Sequence, residues 1–145
     1  MHYGQDVVEE IDRLTNINSP QNIQKYIAMK DVVKNEMLQF NLLHGKVVSS
    51  KLLKFLGQSD LSQLRQFREN ATALLQFVKN NFDDNLENKQ KVYMDAFCKK
   101  INAYLRCIDR DEMIISKHIN RKYGFFERRS DIKESQRIFD SYLYL

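Results

Sequence analysis

The chain has 145 residues, is 43% hydrophobic and 29% charged, and carries a formal net charge of +4, which suits one domain built on one core and excludes a disordered tail. Four glycines and one proline are too few turn-formers for the many tight connections of a sandwich, a barrel or a doubly wound sheet. Long helices remain, and no catalytic or cofactor motif stands out.

In chain order, Val7, Val8, Ile11 and Leu14 recur at three-to-four spacing against Asp6, Glu9, Glu10 and Asp12, which predicts a short amphipathic helix with anions in its first turn. Asn16 to Ser19 breaks this pattern, and Ser19-Pro20 restarts it, because Ser is a favoured N-cap and Pro at the first helical position forfeits no hydrogen bond. The second helix sets Ile23, Tyr26, Ile27, Val33, Met37, Phe40 and Val47 on one side, with Lys25, Asp31, Lys34, Asn35 and Asn41 facing away. Gly45 and Gly57 both offer ends, and Val47 to Leu56 suits either a continuation or a separate short helix.

Asp60 and Gln63 stand at capping-box spacing, and Leu61, Leu64, Phe67, Ala71, Leu74, Leu75, Val78 and Phe82 trace a near-heptad stripe, which predicts the third helix. Asp83-Asp84-Asn85 ends it, and Asp84 with Glu87 repeats the cap. The fourth helix carries Leu86, Tyr93, Met94, Phe97, Ile101, Tyr104, Leu105, Ile108, Ile115 and Ile119 to a stop at Gly124, with a break expected at Asp109-Arg110-Asp111. Asp131 and Glu134 cap a closing helix whose stripe is Ile132, Phe139, Tyr142 and Leu143. No segment alternates long enough to argue a strand. The expected fold is an all-α antiparallel bundle of four or five helices, a single domain over residues 1–145.

Cys98 and Cys107 are nine apart on one helix, about 13 Å at 1.5 Å per residue and beyond the reach of a disulfide, so both are expected as free thiols in a reducing compartment. The first residues show no basic start followed by an apolar run, and no apolar stretch approaches a bilayer's width. The expected location is cytoplasmic, with no membrane partner.

The positive charge is uneven. Residues 1–60 are neutral, 61–110 carry +3 and 111–145 carry +1, yet Lys117 to Arg129 alone holds Lys117, Arg121, Lys122, Arg128 and Arg129 against Glu127. Tyr123, Phe125 and Phe126 interleave with these cations. Cations contact phosphates with release of counterions and aromatic faces stack on unpaired bases, so this stretch is a candidate nucleic-acid or partner-binding surface, widened by Lys99, Lys100, Arg106 and Arg110. The competing expectation turns Phe125 and Phe126 inward to plug the end of the bundle, leaving the charges as a solvated rim.

Catalytic and metal chemistry find little support. Cys98 beside Phe97 and Cys107 beside Ile108 read as small buried hydrophobes, and His2, His44 and His118 pair with no ligand at helical spacing. Neither cofactor nor metal is expected. A solvent-facing His beside a Lys late in a helix is the arrangement of a phosphotransfer bundle, and His44-Gly45-Lys46 with Ser49 and Ser50 approaches it. Here the Lys follows two residues later instead of three, a rotation of about 100° away from a phosphate on the His. The favoured function is therefore a non-enzymatic regulatory or adaptor module working through protein contacts, with no small-molecule substrate. The apolar surplus of the fourth helix, from Tyr93 through Cys98 to Ile108, would bury a fifth helix, form a homodimer or receive a partner helix. Nucleic-acid binding at residues 117–129 is the first alternative, and phosphotransfer at His44 the second.

Overall fold

The structure is a computed structural model and describes residues 20–81 and 88–145. Four α-helices cover nearly all of them: α1 (Pro20–Val47), α2 (Gln58–Asn80), α3 (Asn88–Ile119) and α4 (Phe125–Leu143), with a single 3-10 turn at Leu53–Phe55. No strand occurs among the described residues, and none of their helices is long and apolar enough to cross a membrane. Each helix packs on the next, and α1 also reaches α3. The all-α bundle in a single domain is as expected. The helix expected around residues 7–14, the Ser19 cap and the Asp84–Glu87 cap lie outside the described residues.

The stripes close on one core. From α2 come Leu61, Leu64, Phe67, Ala71, Leu74, Leu75 and Val78, all buried. Phe97, Ile101, Tyr104 and Ile108 of α3 have no exposed surface at all. The apolar surplus expected on this helix is consumed inside the bundle, where α1, α2 and α4 all meet it. Aromatic rings fill the junction of α1, α3 and α4: Phe40 meets Tyr104 edge-on at 5.5 Å, and Tyr142 lies 5.8 Å from both Tyr104 and Phe139. Such pairs add about 0.5–1.5 kcal/mol each beyond their area.

Several expected boundaries move. α1 ends at Val47, and residues 48–57 form a connection in which Leu53 and Leu56 turn inward while Phe55 stays out. The N-cap of α2 is Gly57, so Asp60 is its third residue, and its carboxylate accepts the Gly57 N–H at 2.8 Å. Ile27, assigned to the inner face of α1, is exposed, whereas Leu43, Glu36 and His44 are buried. α3 runs unbroken through Asp109-Arg110-Asp111 because partners on other helices hold the two acids. Arg68 of α2 donates to Asp109 at 3.0 Å and forks onto Glu112 at 2.9 and 3.2 Å, and Asp111 points into the core. On the other side of α2, Asn70 donates to both carboxylate oxygens of Glu36 at 3.0 and 3.1 Å. Burial pushes the Glu36 carboxyl above its ordinary range, and the Asn70 bonds partly offset this.

Lys100 is 2% exposed, against its expected place in a basic patch. Its Nζ donates to the Tyr142 carbonyl at 2.6 Å and lies over that ring at 4.1 Å, joining α3 to α4. Burial lowers its pKa to about 8. Between that value and the ordinary pKa near 10.4 the unfolded chain holds a proton that the folded chain has released, so this group makes stability rise with pH. Cys107 acts oppositely, because burial pushes its thiol up to about 12. Comparison with Lys100→Met isolates the lysine: the stability of the wild type relative to this variant should rise by about 1–3 kcal/mol from pH 8 to pH 10. Urea midpoints across that range measure it, and a constant difference would show that Lys100 titrates as an ordinary lysine.

Candidate functional site

The basic and aromatic stretch forms the turn between α3 and α4. The Lys122 N–H reaches the Lys117 carbonyl and the Arg121 N–H the His118 carbonyl, both at 3.1 Å, which is the paired hydrogen bonding of a Schellman helix stop. The left-handed residue of that stop is Arg121, at φ 54°. Gly124, expected to end α3, is instead the extended N-cap of α4, whose carbonyl accepts the Arg128 N–H at 3.0 Å. An arginine in the left-handed region costs about 1 kcal/mol relative to glycine. Arg121→Gly should thus raise stability by roughly 0.5–1 kcal/mol in urea unfolding, while removing a cation from this surface. A loss of stability would show that the Arg121 side chain contributes contacts that outweigh the strain.

α4 therefore begins six residues before Asp131, and this sets what its first turns present. Phe125 and Phe126 are 61% and 81% exposed, packed edge-to-face at 5.3 Å. They do not plug the bundle. Behind them a groove of about 340 Å³ runs between α4 and the connection after α1. Arg128, Arg129 and Lys133 supply its charge, Ser50 and Gln136 its polar groups, and Val48, Ile132 and Phe125 its apolar floor. No carboxylate lines it. Arg121, Lys122, Arg128 and Arg129 form no ion pair with any described residue.

Two residues expected on this surface face elsewhere. Lys117 donates to Glu127 at 2.5 Å and to Asp131 at 3.4 Å, and these bonds raise its pKa further. Tyr123 is half-buried and donates its Oη–H to Asp131 at 2.9 Å, with burial and that bond holding its hydroxyl protonated well above the ordinary range. Asp131 and Glu134, expected as a capping pair, serve inside α4 as a partner for this turn and for Arg137. Of the wider patch, Lys99 and Arg106 are exposed and Arg110 is half-buried with no partner for its Nε.

His44 is not solvent-facing. It is 4% exposed, its Nδ1–H donates to Asp111 Oδ2 at 2.8 Å, and its ring stacks on Phe139 at 3.9 Å. Ser135 of α4 donates to the other oxygen of Asp111 at 2.5 Å. The sequence of groups is serine, aspartate, histidine, with the carboxylate in the middle, so the imidazole is not placed to take a proton from the hydroxyl. Asp111, with no exposed surface, acts as a clasp that draws α1 and α4 onto α3. Sequence spacing did not mark it, since its partners lie 67 and 24 residues away. A buried His44 also lacks the access a phosphoacceptor needs. Cys98 is half-buried and Cys107 buried, and burial raises both thiols away from the reactive thiolate. Comparison of the chain with protein-family models, with curated proteins and with solved structures gives no match.

Proposed function

We propose that this chain is a non-enzymatic macromolecular binding module of the cytoplasm, that its working surface is the basic and aromatic start of α4, and that single-stranded nucleic acid is the polymer held there. The outward placement of Phe125 and Phe126 beside Arg121, Lys122, Arg128 and Arg129, which form no ion pair among the described residues, carries this reading. Two large aromatic rings left in water beside concentrated positive charge combine the two ingredients of single-strand binding, stacking faces and phosphate contacts. The groove adds the hydroxyl of Ser50 and the amide of Gln136, which suit base edges or phosphate oxygens.

Fluorescence anisotropy with a labelled oligothymidylate across a salt series tests it. Binding at low salt that weakens steeply as salt rises supports the reading, and no detectable binding at low salt rejects it. A second reading, contact with another protein or a second copy through a helical face, has its own observation. Ile27, Leu38 and Leu42 share one side of α1 and are exposed. A sedimentation series that shows monomer at every concentration would remove the homodimer form of this reading.

A further inference from the structure

We infer that the single strand continues past the first groove, across the outer face of α4, into a second groove between α3 and α4. This rests on the nucleic-acid reading of the α4 surface. The second groove, of about 380 Å³, carries Lys99 and Arg106 from α3 and Arg137 from α4, with Asn102 and Ser141 as uncharged polar groups. The link between the grooves is a row on one helix. Arg129 and Lys133 line the first groove and Arg137 the second, at positions i, i+4 and i+8. Such a row drifts slowly around the helix and advances about 12 Å at 1.5 Å per residue. At roughly 3.4 Å per phosphate in a stacked strand, and more in an extended one, about four nucleotides are enough to cover that distance.

Two acids border the route. Glu134 accepts from Arg137 at 2.5 and 3.0 Å, and Asp140 is exposed one turn beyond. The Arg137 bonds, together with the charges of Arg110 and Arg106, hold the Glu134 carboxyl below its usual range. Lys99, Arg106 and Arg137 in the groove outnumber the two acids at its border and leave its mouth positive, and Glu134 orients Arg137 rather than cancelling the site.

The experiment compares labelled dT2 and dT12 on the wild type and on K99A/R106A, both of whose positions are exposed. The dinucleotide is too short to reach from the first groove to the second, and the dodecanucleotide spans both. The double variant should bind dT2 as the wild type does, bind dT12 about tenfold more weakly, and show a salt slope for dT12 smaller by about 1.4, twice the ~0.7 of one single-strand phosphate contact. Equal affinity of wild type and variant for dT12 would overturn the second groove while leaving the first intact. Failure of the wild type to bind either oligonucleotide at low salt would overturn the underlying reading, as would binding to phosphatidylserine vesicles with no oligonucleotide binding. Circular dichroism confirms that the variant keeps its helices.

Discussion

Asp111→Ala should destabilise the protein by about 3–5 kcal/mol, the expected result of removing one partner from a buried polar cluster. The alanine leaves the His44 Nδ1–H and the Ser135 hydroxyl without an acceptor in the core, and each stranded group adds a desolvation penalty of about 1–3 kcal/mol. Against a typical total stability of about 5–15 kcal/mol, this is a large fraction. Asp111→Asn keeps the shape and one carbonyl acceptor, so its loss should be smaller, about 1–2 kcal/mol, and Ser135→Ala should lose about 1 kcal/mol. Urea unfolding of the three variants gives the order. If Asp111→Ala lost less than Ser135→Ala, the clasp would not be what holds α1 and α4 together.

The clasp matters for the surface as well as for stability. One wall of the first groove belongs to the connection after α1 and the other to α4. His44 lies four residues before Val48 on one side, and Ser135 lies next to Gln136 on the other. Asp111 therefore ties to α3 the two helices from which the walls of the groove extend.

The second large effect is on binding. Arg128→Glu with Arg129→Glu should lower affinity for single-stranded oligonucleotides by about a hundredfold or more at moderate salt, and equally for every sequence. Each reversal removes a phosphate contact and adds repulsion, in a groove where no carboxylate now stands. The salt slope should fall by about 1.4 for the two lost contacts. Arg129 is exposed and Arg128 half-buried at the groove, so stability should change by no more than about 1 kcal/mol. Loss confined to one base composition would instead make these arginines readers of sequence. Unchanged affinity would place the polymer elsewhere.

How far the amino-acid sequence foretold this molecule depended on the range of the interactions involved. The stripe from Leu61 to Val78 repeats within two turns, and every position of it is buried as expected. Helix ends were harder, because several residues competed for each. Gly57 took the cap from Asp60, and Arg121 took the left-handed position that Gly124 would fill more easily. The acids at 109 and 111 resembled a break because, in isolation, two carboxylates around an arginine favour solvent. Their partners Arg68, His44 and Ser135 come from three other helices, and no local pattern reveals them.

The surface followed the same division. The run of cations from Lys117 to Arg129 was legible as composition, but which of them remain free was not. Lys117 turns to Glu127 and Asp131, Lys100 goes inside to Tyr142, and Lys133 joins the groove from a position outside the run. The orientation of Phe125 and Phe126 depended on where α4 begins, since a start at Phe125 rather than near Asp131 sets both rings on the first turn of the helix.

The most direct measurement is an amide chemical-shift titration of the isotope-labelled protein with dT12 at low salt. The changes should concentrate at residues 48–50 and 121–137, extending to Lys99 and Arg106, and should vanish for the variant with Arg128 and Arg129 reversed. Shifts confined to the outer face of α1 around Ile27, Leu38 and Leu42, or none up to saturating oligonucleotide, would contradict a nucleic-acid surface at the start of α4.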